Sequence, residues 1–456
     1  MDLLNKVYQS QRSYFQSGET LPVGVRLLKL KQFRRVLFEK ERKLYEALKK
    51  DLNKPVLEAF MGEFMGMLHE VDTAISKLKK WSKRRRIKSS VFTIPSKASV
   101  IPEPYGQVLI ISPWNYPVDL CLSPLIGAIA AGNVAMVKPS RFTPHTAQVI
   151  KEFIAEVFED KYVSVQNDID GKTLLQFRYD YIFFTGSVSV GKEVMKTASE
   201  NLTPVTLELG GKCPVIISTN YNIKKAAKSV AWGKFFNAGQ SCVAPDYVFL
   251  HKDDLDAFVS AFNFYTKQFL KNPESDYTRI VNQKHFERLL AYLKQGKILA
   301  GGDCFVENLQ ISPTVLLPES MDTPVMQDEI FGPVLPVVLY EQPEEIVRFI
   351  NSREKALVVY IFSDNKKEQQ YFVRHTSSGN VCINDTLLNY VNKNLPFGGV
   401  GHSGMGKYHG KASFEIFSNL KSVHRKLSPD FPFRYPPYNK QYKRLWRIKK
   451  ILNKNI

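Results

Sequence analysis

The sequence predicts an α/β protein built on two mainly parallel sheets. Short, wholly apolar runs alternate with segments of helical periodicity from Tyr105 to about residue 206, and again from about Pro214 to Val381. Strands that alternate with helices imply crossover connections and sheets covered by helices on both faces. A length of 456 residues allows roughly two to four domains. The 44% apolar and 23% charged residues are ordinary for a globular protein and argue against wholesale disorder and a multi-span membrane protein.

The N-terminal 80 residues are predicted to be helical. Apolar residues recur there at three- and four-residue spacing, as at Leu27, Leu30 and Phe33, with lysine and arginine between them. Residues 89–104 alternate β-branched and polar residues between prolines. That pattern predicts an exposed strand pair or arm.

The first parallel sheet is predicted after Tyr105. The expected strands are Val108–Ser112, Val134–Val137, Tyr162–Val165 and Tyr181–Phe184, and the expected helices end near Ala131 and span Thr146–Phe158. The twenty residues Val118–Val137 are mostly apolar, but Asp119, Pro124 and Asn133 interrupt them. A buried helix followed by a buried strand is therefore predicted here, and a membrane span is not.

The positive charge of the chain is concentrated in two places. The formal net charge is +19, and the acid-free blocks Lys77–Lys88 and Arg434–Lys454 carry eight positive charges each, which leaves +3 for the rest. Local basic patches can attract phosphates, anionic lipid or nucleic acid. A solvated face without a dedicated partner is the commoner explanation. A nucleic-acid or membrane-surface binding module therefore stays open as an alternative function.

A glycine-rich turn between Phe183 and Val194 follows a strand and opens a helix. Gly186, Gly191 and Lys192 nearly match the phosphate-binding loop of nucleotide hydrolases, but Glu193 stands where that loop has a hydroxyl that ligates magnesium. A carboxylate there would repel phosphates, so triphosphate hydrolysis is disfavoured as a second alternative. Glycines and a helix N-terminus still suit a pyrophosphate.

Three short sequences point to chemistry. Cys242 follows a Gly-Gln turn, Glu208 lies in an apolar run beside a glycine pair, and Asn115 lies between two prolines at the carboxyl end of a strand. The crevice beyond the strand ends is where open α/β sheets bind ligands. Alone, each residue has an ordinary explanation as a buried thiol, a capping acid or a turn amide. Together they predict a thiol-based active site.

With these motifs the chain resembles the aldehyde dehydrogenase superfamily, and the segment Arg434–Tyr438 resembles its class 3, fatty-aldehyde-type branch. The resemblance runs from near residue 20 to about 425 and includes Lys138–Ser140, Glu329–Pro333 and Leu395–Gly406 in family order. It implies two Rossmann-like domains, one for the cofactor and one for catalysis, with a small β oligomerisation arm. The implied boundaries are 1–88 and 105–206 for the dinucleotide-binding domain, 207–395 for the catalytic thiol domain, 89–104 and 412–426 for the arm and its strand, and 427–456 for a basic tail.

The resemblance implies oxidation of an aldehyde through a thiohemiacetal and a thioester on Cys242. Asn115, with the backbone N–H of Cys242, is the implied oxyanion hole, and Glu208 is the implied base that activates water. A free thiol is only a few per cent ionised at neutral pH, so a base or a local positive field must help. The acylating branch of the family generally lacks this base, so Glu208 favours a free carboxylic acid as product. The other cysteines are expected to be packing residues: Cys121, Cys213, Cys304 and Cys382.

The cofactor implied by the resemblance is NAD or NADP. The implied binding residues are Lys138 and Ser140 at the adenine ribose, Gly186, Ser187 and Gly191 at the pyrophosphate, and Glu329 and Phe331 at the nicotinamide ribose. Arg141 stands where the family often has a glutamate that repels a 2′-phosphate. A guanidinium can pair with that phosphate, so NADP is expected to serve at least as well as NAD. No metal is expected.

The expected partner is a small aldehyde, with no nucleic acid. Tyr116 and Phe397 match family positions that line an apolar tunnel, which implies medium or long aliphatic or aromatic aldehydes. The arm and the strand-like Phe414–His424 imply a homodimer, because an exposed strand tends to pair with a partner's sheet edge.

The tail Tyr438–Ile456 has five large apolar residues among seven basic ones, a composition typical of an interfacial membrane anchor. It could instead pack over the substrate entrance or be disordered. Five cysteines without regular spacing, and an N-terminus without a basic stretch leading into an apolar core, favour the cytoplasm.

Overall fold

A computed structural model describes residues 2–90 and 93–430, together with the isolated residues 435, 436, 438 and 449. The segment predicted as a membrane anchor therefore lies almost wholly outside the described residues. The α-helices are α1 (Asp2–Gln16), α2 (Val23–Leu52), α3 (Val56–Ala59), α4 (Met65–Trp81), α5 (Asp119–Ala131), α6 (Pro144–Val157), α7 (Gly171–Leu174), α8 (Val188–Glu200), α9 (Ile223–Phe235), α10 (Leu255–Phe269), α11 (Pro273–Asp276), α12 (Gln283–Leu293), α13 (Pro324–Gln327), α14 (Pro343–Asn351), α15 (Lys366–His375), α16 (Leu388–Val391) and α17 (Lys411–Ile416). The strands are β1 (Arg85–Ile87), β2 (Ser96–Pro104), β3 (Gln107–Ile111), β4 (Val134–Lys138), β5 (Val163–Val165), β6 (Tyr181–Thr185), β7 (Val205–Glu208), β8 (Pro214–Ile217), β9 (Tyr247–His251), β10 (Gly296–Ala300), β11 (Cys304–Phe305), β12 (Gln310–Ile311), β13 (Thr314–Pro318), β14 (Val334–Tyr340), β15 (Ala356–Phe362), β16 (Ser378–Ile383), β17 (Gly404–Met405) and β18 (Ser418–Lys426).

The N-terminal segment is helical, as predicted. Helix α2 buries one face, which includes Leu30, Phe33 and Leu48, and it ends at Asn53. Asn53 adopts the left-handed conformation (φ 54°), and its N–H bonds to the last carbonyls of the helix. A single π-helical turn, Phe60–Phe64, connects α3 to α4.

The first large sheet has six strands in the order β17-β7-β6-β3-β4-β5. All its pairs are parallel except β17, which runs antiparallel to β7. Helix α5 is buried along its whole length and leads into the buried strand β4, as predicted for Val118–Val137. Among the described residues no helix is both long and apolar enough to cross a membrane.

The second large sheet has seven strands in the order β10-β13-β14-β9-β8-β15-β16. Its pairs are parallel except for β10, which pairs antiparallel with β13. The α/β class with mainly parallel sheets is therefore confirmed. Both large sheets lie in one compact unit, formed by residues 1–81 and 104–419.

A second unit comprises residues 82–103 and the chain from 420 onward. It contains most of a three-stranded sheet of order β1-β2-β18, in which Arg85 is paired with Val100. The role of this sheet in oligomerisation stays a prediction.

The strand predicted at Phe414–His424 begins only at Ser418, because the residues before it form helix α17. Phe414 is buried within that helix and packs on Trp81, with the ring centroids 5.7 Å apart. The apolar Phe414 fits a strand pattern in the sequence, but in the structure it belongs to the helix before the strand.

The cysteine predictions hold for three of four residues. Cys121, Cys213 and Cys382 are buried, whereas Cys304 is exposed. Cys304 begins β11, which among the described residues pairs only with the short strand β12; both residues of β11 are exposed, whereas those of β12 are buried.

Candidate active site

A groove runs along the carboxyl ends of the β3, β6 and β7 strands of the first sheet. The loop after β3 supplies Asn115, the end of β7 supplies Glu208, and the turn after α9 supplies Cys242. The wall of the groove includes all three of these residues together with Gly186, Ser187, Glu329 and Phe331. The structure therefore brings together three residues that lie far apart in the sequence.

Cys242 also borders a second cavity, which is lined mainly by apolar side chains. Cys242 and Leu120 are the two residues that line both cavities. The large apolar residues of the second cavity are Met61, Met65, Tyr116, Leu120, Trp232, Phe236, Val243, Leu387, Leu388, Tyr390 and Val391. The thiol thus lies where a polar groove meets an apolar cavity.

Asn115 is held rigidly by buried partners. Its side chain is 2% exposed, and its Nδ2 donates to the carbonyl of Gln240 at 3.1 Å, two residues before the thiol. Its own carbonyl accepts from Nζ of Lys54 at 2.9 Å and from Nδ2 of Asn237 at 3.1 Å. Lys54 is in turn paired with Glu63 at 2.7 Å. This network aims the amide of Asn115 at the segment that carries Cys242.

Glu208 lies in an unusual environment for a carboxyl group. It is 5% exposed, and neither of its side-chain oxygens has a hydrogen-bond partner. Burial raises the pKa of Glu208 well above its ordinary value, and the positive charge of Lys407 opposes that rise. A carboxyl with a raised pKa can exchange a proton near neutral pH, as a general base requires.

The thiol of Cys242 has a raised pKa. Burial is the main cause, and Glu329 and Glu208 raise it further, while the backbone N–H groups of Cys242 and Val243 lower it. The sulfur therefore holds its proton at neutral pH. Its activation needs a base or a positive charge close by.

The groove has the features that a dinucleotide needs. Ser187 caps the N-terminus of α8 and Gly186 precedes it, so backbone N–H groups and the positive end of the helix face this wall. Burial raises the pKa of Glu329 to about 8, and its Oε1 has no hydrogen-bond partner. A ribose hydroxyl could donate to such an oxygen. Phe331 lies edge-on to Trp114, with ring centroids 5.4 Å apart, and both line the groove. These residues fit an NAD(P) cofactor.

Several other predicted cofactor residues do not line this groove. Lys138 ends β4 and donates from Nζ to the carbonyl of Pro139 at 2.7 Å, and the hydroxyl of Ser140 accepts from the N–H of Phe142 at 3.2 Å. The exposed Arg141 lies over the ring of Phe142, 5.3 Å from its centroid. Lys138 ends the strand that pairs with β3, and Ser140 and Arg141 lie in the loop that follows it. Gly191 is buried in α8, where a Cβ would lie 2.6 Å from a side-chain carbon of Leu209.

The two predicted tunnel residues differ in their placement. Tyr116 lines the apolar cavity and stacks on Phe236, with ring centroids 6.5 Å apart. Phe397 is buried behind Tyr390 at 4.9 Å, ring centroid to ring centroid, and does not itself line the cavity. It touches the cavity wall through Tyr390 and, by way of His409, through Lys393.

Sequence reasoning missed a second group of residues. His285, Arg288 and Tyr292 of α12 line the groove. Lys54 donates a hydrogen bond to the carbonyl of Asn115, and the positive charge of Lys407 lowers the pKa of Glu208. The three residues of α12 are spaced three and four apart, which places them on one helix face. Polar residues on one helix face are usually solvated, so that signal is weak. Lys54 and Lys407 carry no local signal at all.

Comparison with known proteins agrees with this geometry. The profile of the aldehyde dehydrogenase family matches residues 2–423. The chain is 41% identical to 4,4′-diaponeurosporen-aldehyde dehydrogenase of Staphylococcus aureus, over 97% of this chain and 98% of that protein. It is 41% identical to aldehyde dehydrogenase family 3 member A2 of Rattus norvegicus, over 97% and 93%. A solved structure of the substrate-bound state of Staphylococcus aureus AldH superposes with a TM-score of 0.95 at 40% identity, covering 98% of this chain and all of that one.

Proposed function

The chain belongs to the aldehyde dehydrogenase family, and from that premise we propose that it oxidises apolar aldehydes to free carboxylic acids, with Cys242 as the nucleophile. It is an NAD(P)-dependent aldehyde dehydrogenase of family 3 type. The observation that carries the proposal is that Cys242 lines both the polar groove and the apolar cavity. An aliphatic chain of medium or long length, or an aromatic ring, in the cavity would present its carbonyl to the sulfur.

In the first step the thiol of Cys242 gives its proton to the carboxylate of Glu208, which passes it on to water in the groove, and the resulting thiolate attacks the carbonyl carbon to form a thiohemiacetal. The developing oxyanion is stabilised by the side-chain N–H of Asn115 and the backbone N–H of Cys242. Asn115 suits this role because buried partners fix its amide and its backbone carbonyl. A donor that is already oriented costs no reorganisation when the charge develops.

A bound NAD(P) would supply the hydride acceptor for this chemistry, and loss of hydride from the thiohemiacetal carbon would leave a thioester on Cys242. Gly186 and Ser187 would bind its pyrophosphate, and Glu329 and Phe331 would orient the nicotinamide ribose. Glu208 then takes a proton from water, and the resulting hydroxide attacks the thioester carbon. The carbon–sulfur bond breaks, and the carboxylic acid leaves with the thiolate regenerated.

The test is formation of reduced nicotinamide by the full chain with aldehydes of graded chain length. Cys242→Ser should abolish turnover, because an alcohol is a far weaker nucleophile than a thiolate, and cofactor binding should persist. The matched control is Cys304→Ser, which changes an exposed cysteine far from the groove. Full activity of Cys242→Ser would end the proposal.

Asn115 has its own expected outcome. Asn115→Ala should lower kcat/KM by roughly 100- to 1,000-fold, the range found when one oxyanion donor is removed. Gln240 would keep the hydrogen bond that its carbonyl accepts from Asn237 at 2.9 Å, so the turn before Cys242 should survive. Unchanged kcat/KM would show that the oxyanion is stabilised elsewhere.

The cofactor preference is a separate proposal. Arg141 is exposed, and its guanidinium is available to a 2′-phosphate, which supports use of NADP at least as well as NAD. Arg141→Glu should lower kcat/KM with NADP and leave that with NAD nearly unchanged. A strong NAD preference in the unaltered chain, unaffected by Arg141→Glu, would contradict this.

Assembly and location complete the proposal. The antiparallel sheet of β1, β2 and β18 has two edges, which supports pairing with a second copy of the chain to form a homodimer. All five cysteines are free, which supports a reducing compartment such as the cytoplasm. Peripheral contact of residues 438–456 with a membrane rests on their composition alone.

A further inference from the structure

Lys407 lies two residues after the end of β17, the strand that pairs with the end of β7 at Glu208. It is half-buried, and its Nζ donates to the carbonyl of Gly379 at 2.7 Å and also to the carbonyl of Gly398. Two backbone acceptors therefore tether the ammonium, and it cannot swing freely into solvent. Lys407 is not part of any motif used above to identify the site.

The same segment is in direct contact with Glu208. A Cβ on Gly398 would lie 2.7 Å from Oε1 of Glu208, so this carboxyl packs against the glycine whose carbonyl Lys407 binds. Strand β17 also pairs with β7, with Gly404 opposite Glu208 and Met405 opposite Leu207. The backbone that precedes Lys407 is thus fixed relative to the carboxyl group.

The other titratable groups that act on Glu208 cannot replace this charge. They are Tyr181 on β6, Tyr408 next to Lys407, and Cys242 across the groove. Each is neutral or becomes anionic, and none is a cation. Among the described residues, Lys407 is the one group that lowers the pKa of Glu208.

We propose that Lys407 is a positioning residue that favours the carboxylate form of Glu208 against the effect of burial, so that a larger fraction of Glu208 can accept a proton from water during thioester hydrolysis. This inference rests on the proposed function, in which Glu208 is the general base. A buried carboxyl without hydrogen-bond donors favours its protonated form, and a protonated carboxyl cannot take a second proton. A tethered ammonium group favours the ionised form without occupying the carboxylate oxygens, both of which lack a hydrogen-bond partner.

The experiment compares Lys407→Met with Lys407→Arg. Hydrolysis of an activated ester such as p-nitrophenyl acetate forms an acyl group on Cys242 without hydride transfer, so its turnover reports deacylation when acylation is faster. The turnover rate should fall at acidic pH as Glu208 becomes protonated, and we call this falling part of the pH profile the acid limb. The acid limb should move to higher pH in Lys407→Met by about one unit, the effect expected of one nearby opposite charge.

The direction of the expected pH shift follows from the positive charge of Lys407. Removing the cation raises the pKa of Glu208, so less carboxylate is present at a given acidic pH. Below the limb the rate should fall about tenfold for a shift of one unit. Well above the limb the rate should equal that of the unaltered chain, and Lys407→Arg should restore the original limb.

A purely structural role would give a different result. Loss of the two tethers alone would lower the rate equally at every pH and would leave the limb in place, which would overturn the inference. Lys407→Gln retains hydrogen-bond donors without the charge, and it replaces Lys407→Met if that variant does not fold. The matched control is Lys411→Met, since Lys411 is an exposed lysine on α17 paired with Glu415. Its profile should be unchanged.

Glu208→Gln separates failure of this inference from failure of the proposed function. If Glu208→Gln hydrolyses the ester as fast as the unaltered chain, Glu208 is not the base and both proposals fail. If Glu208→Gln is strongly impaired and Lys407→Met keeps the original limb, the inference about Lys407 alone is wrong.

Discussion

At the residue scale, a buried ion pair holds the segments around Asn115 in place. Lys54 is completely buried, and its Nζ bonds both the carboxylate of Glu63 and the carbonyl of Asn115. The second oxygen of Glu63 accepts the N–H groups of Val118 and Asp119, where α5 begins. One ion pair therefore connects the π-helical turn, the Asn115 loop and the start of a core helix.

Removing one partner of this ion pair should be costly. Lys54→Met leaves Glu63 buried without a cation, which should lower the free energy of unfolding by about 3–5 kcal/mol. Denaturant unfolding followed by circular dichroism measures this. The double variant Lys54→Met/Glu63→Gln should recover part of the loss, because it leaves no unpaired charge. A single variant as stable as the unaltered chain would show that the pair contributes little.

The protonation of the thiol is a second effect at this scale. Glu329 raises the pKa of Cys242, and the pKa of Glu329 is itself about 8, so its charge develops mainly above that pH. Glu329→Gln should therefore lower the pKa of the thiol and speed alkylation of Cys242 by iodoacetamide most clearly above pH 8. Cys304→Ser as background removes the exposed thiol from the assay. Slower or equal alkylation in Glu329→Gln would contradict this account.

At the scale of single elements, the π-helical turn Phe60–Phe64 shapes the apolar cavity. Gly62 lies in this turn, and a Cβ there would be 3.0 Å from the ring of Tyr116 and 3.2 Å from that of Phe236. Both rings line the cavity that also contains Cys242. The glycine thus lets two aromatic rings lie against the turn and leaves room for a substrate.

Gly62→Ala should narrow the cavity, because the new methyl group displaces both rings. For a bulky aromatic aldehyde kcat/KM should fall on the order of tenfold, the usual effect of one methyl group in a pocket. A two-carbon aldehyde should be affected much less. The control is Gly24→Ala, since a Cβ at Gly24 meets no atom within 4 Å. Equal losses for both aldehydes would show that the turn does not control substrate size.

At the scale of the whole molecule, the two large sheets form one compact unit, and the active-site groove and the apolar cavity both lie within it. The small antiparallel sheet belongs to the other unit. This division separates residues proposed for catalysis from residues proposed for assembly. The two proposals can therefore be tested independently.

Sedimentation equilibrium of the full chain at micromolar concentration should give about twice the monomer mass of 52.2 kDa. The physical reason is that β1 is an edge strand of the small sheet among the described residues, and the outer backbone groups of an edge strand can pair with a second copy. A chain that stays at the monomer mass under these conditions would contradict the homodimer.

The tail is tested by flotation with liposomes that contain anionic lipid. A chain ending at Pro437 loses seven basic residues and the apolar residues Leu445, Trp446, Ile448, Ile451, Leu452 and Ile456, so it should float less than the full chain. Equal flotation of the two chains would end the proposal of membrane contact.

The sequence by itself determined the order and type of most elements and the residues to examine. Alternating apolar runs and helical segments specify β3, β4 and β6 and the helices between them, because burial on both faces of a parallel strand requires a continuous apolar run. Cys242, Glu208 and Asn115 were recognised from short motifs, since turns and strand ends are encoded locally. The extent of α17 was not, because one apolar residue fits a helix end and a strand equally well.

Only the tertiary structure decided which groups surround those residues. Lys54 lies 61 positions from Asn115, Lys407 and Glu208 meet through strand pairing, and Cys242 borders two cavities whose walls come from distant segments. Burial and the electric field at a side chain depend on all the neighbouring segments together. The pKa values of Cys242, Glu208 and Glu329, and the exposure of Cys304, follow from that packing and have no local signature in the sequence.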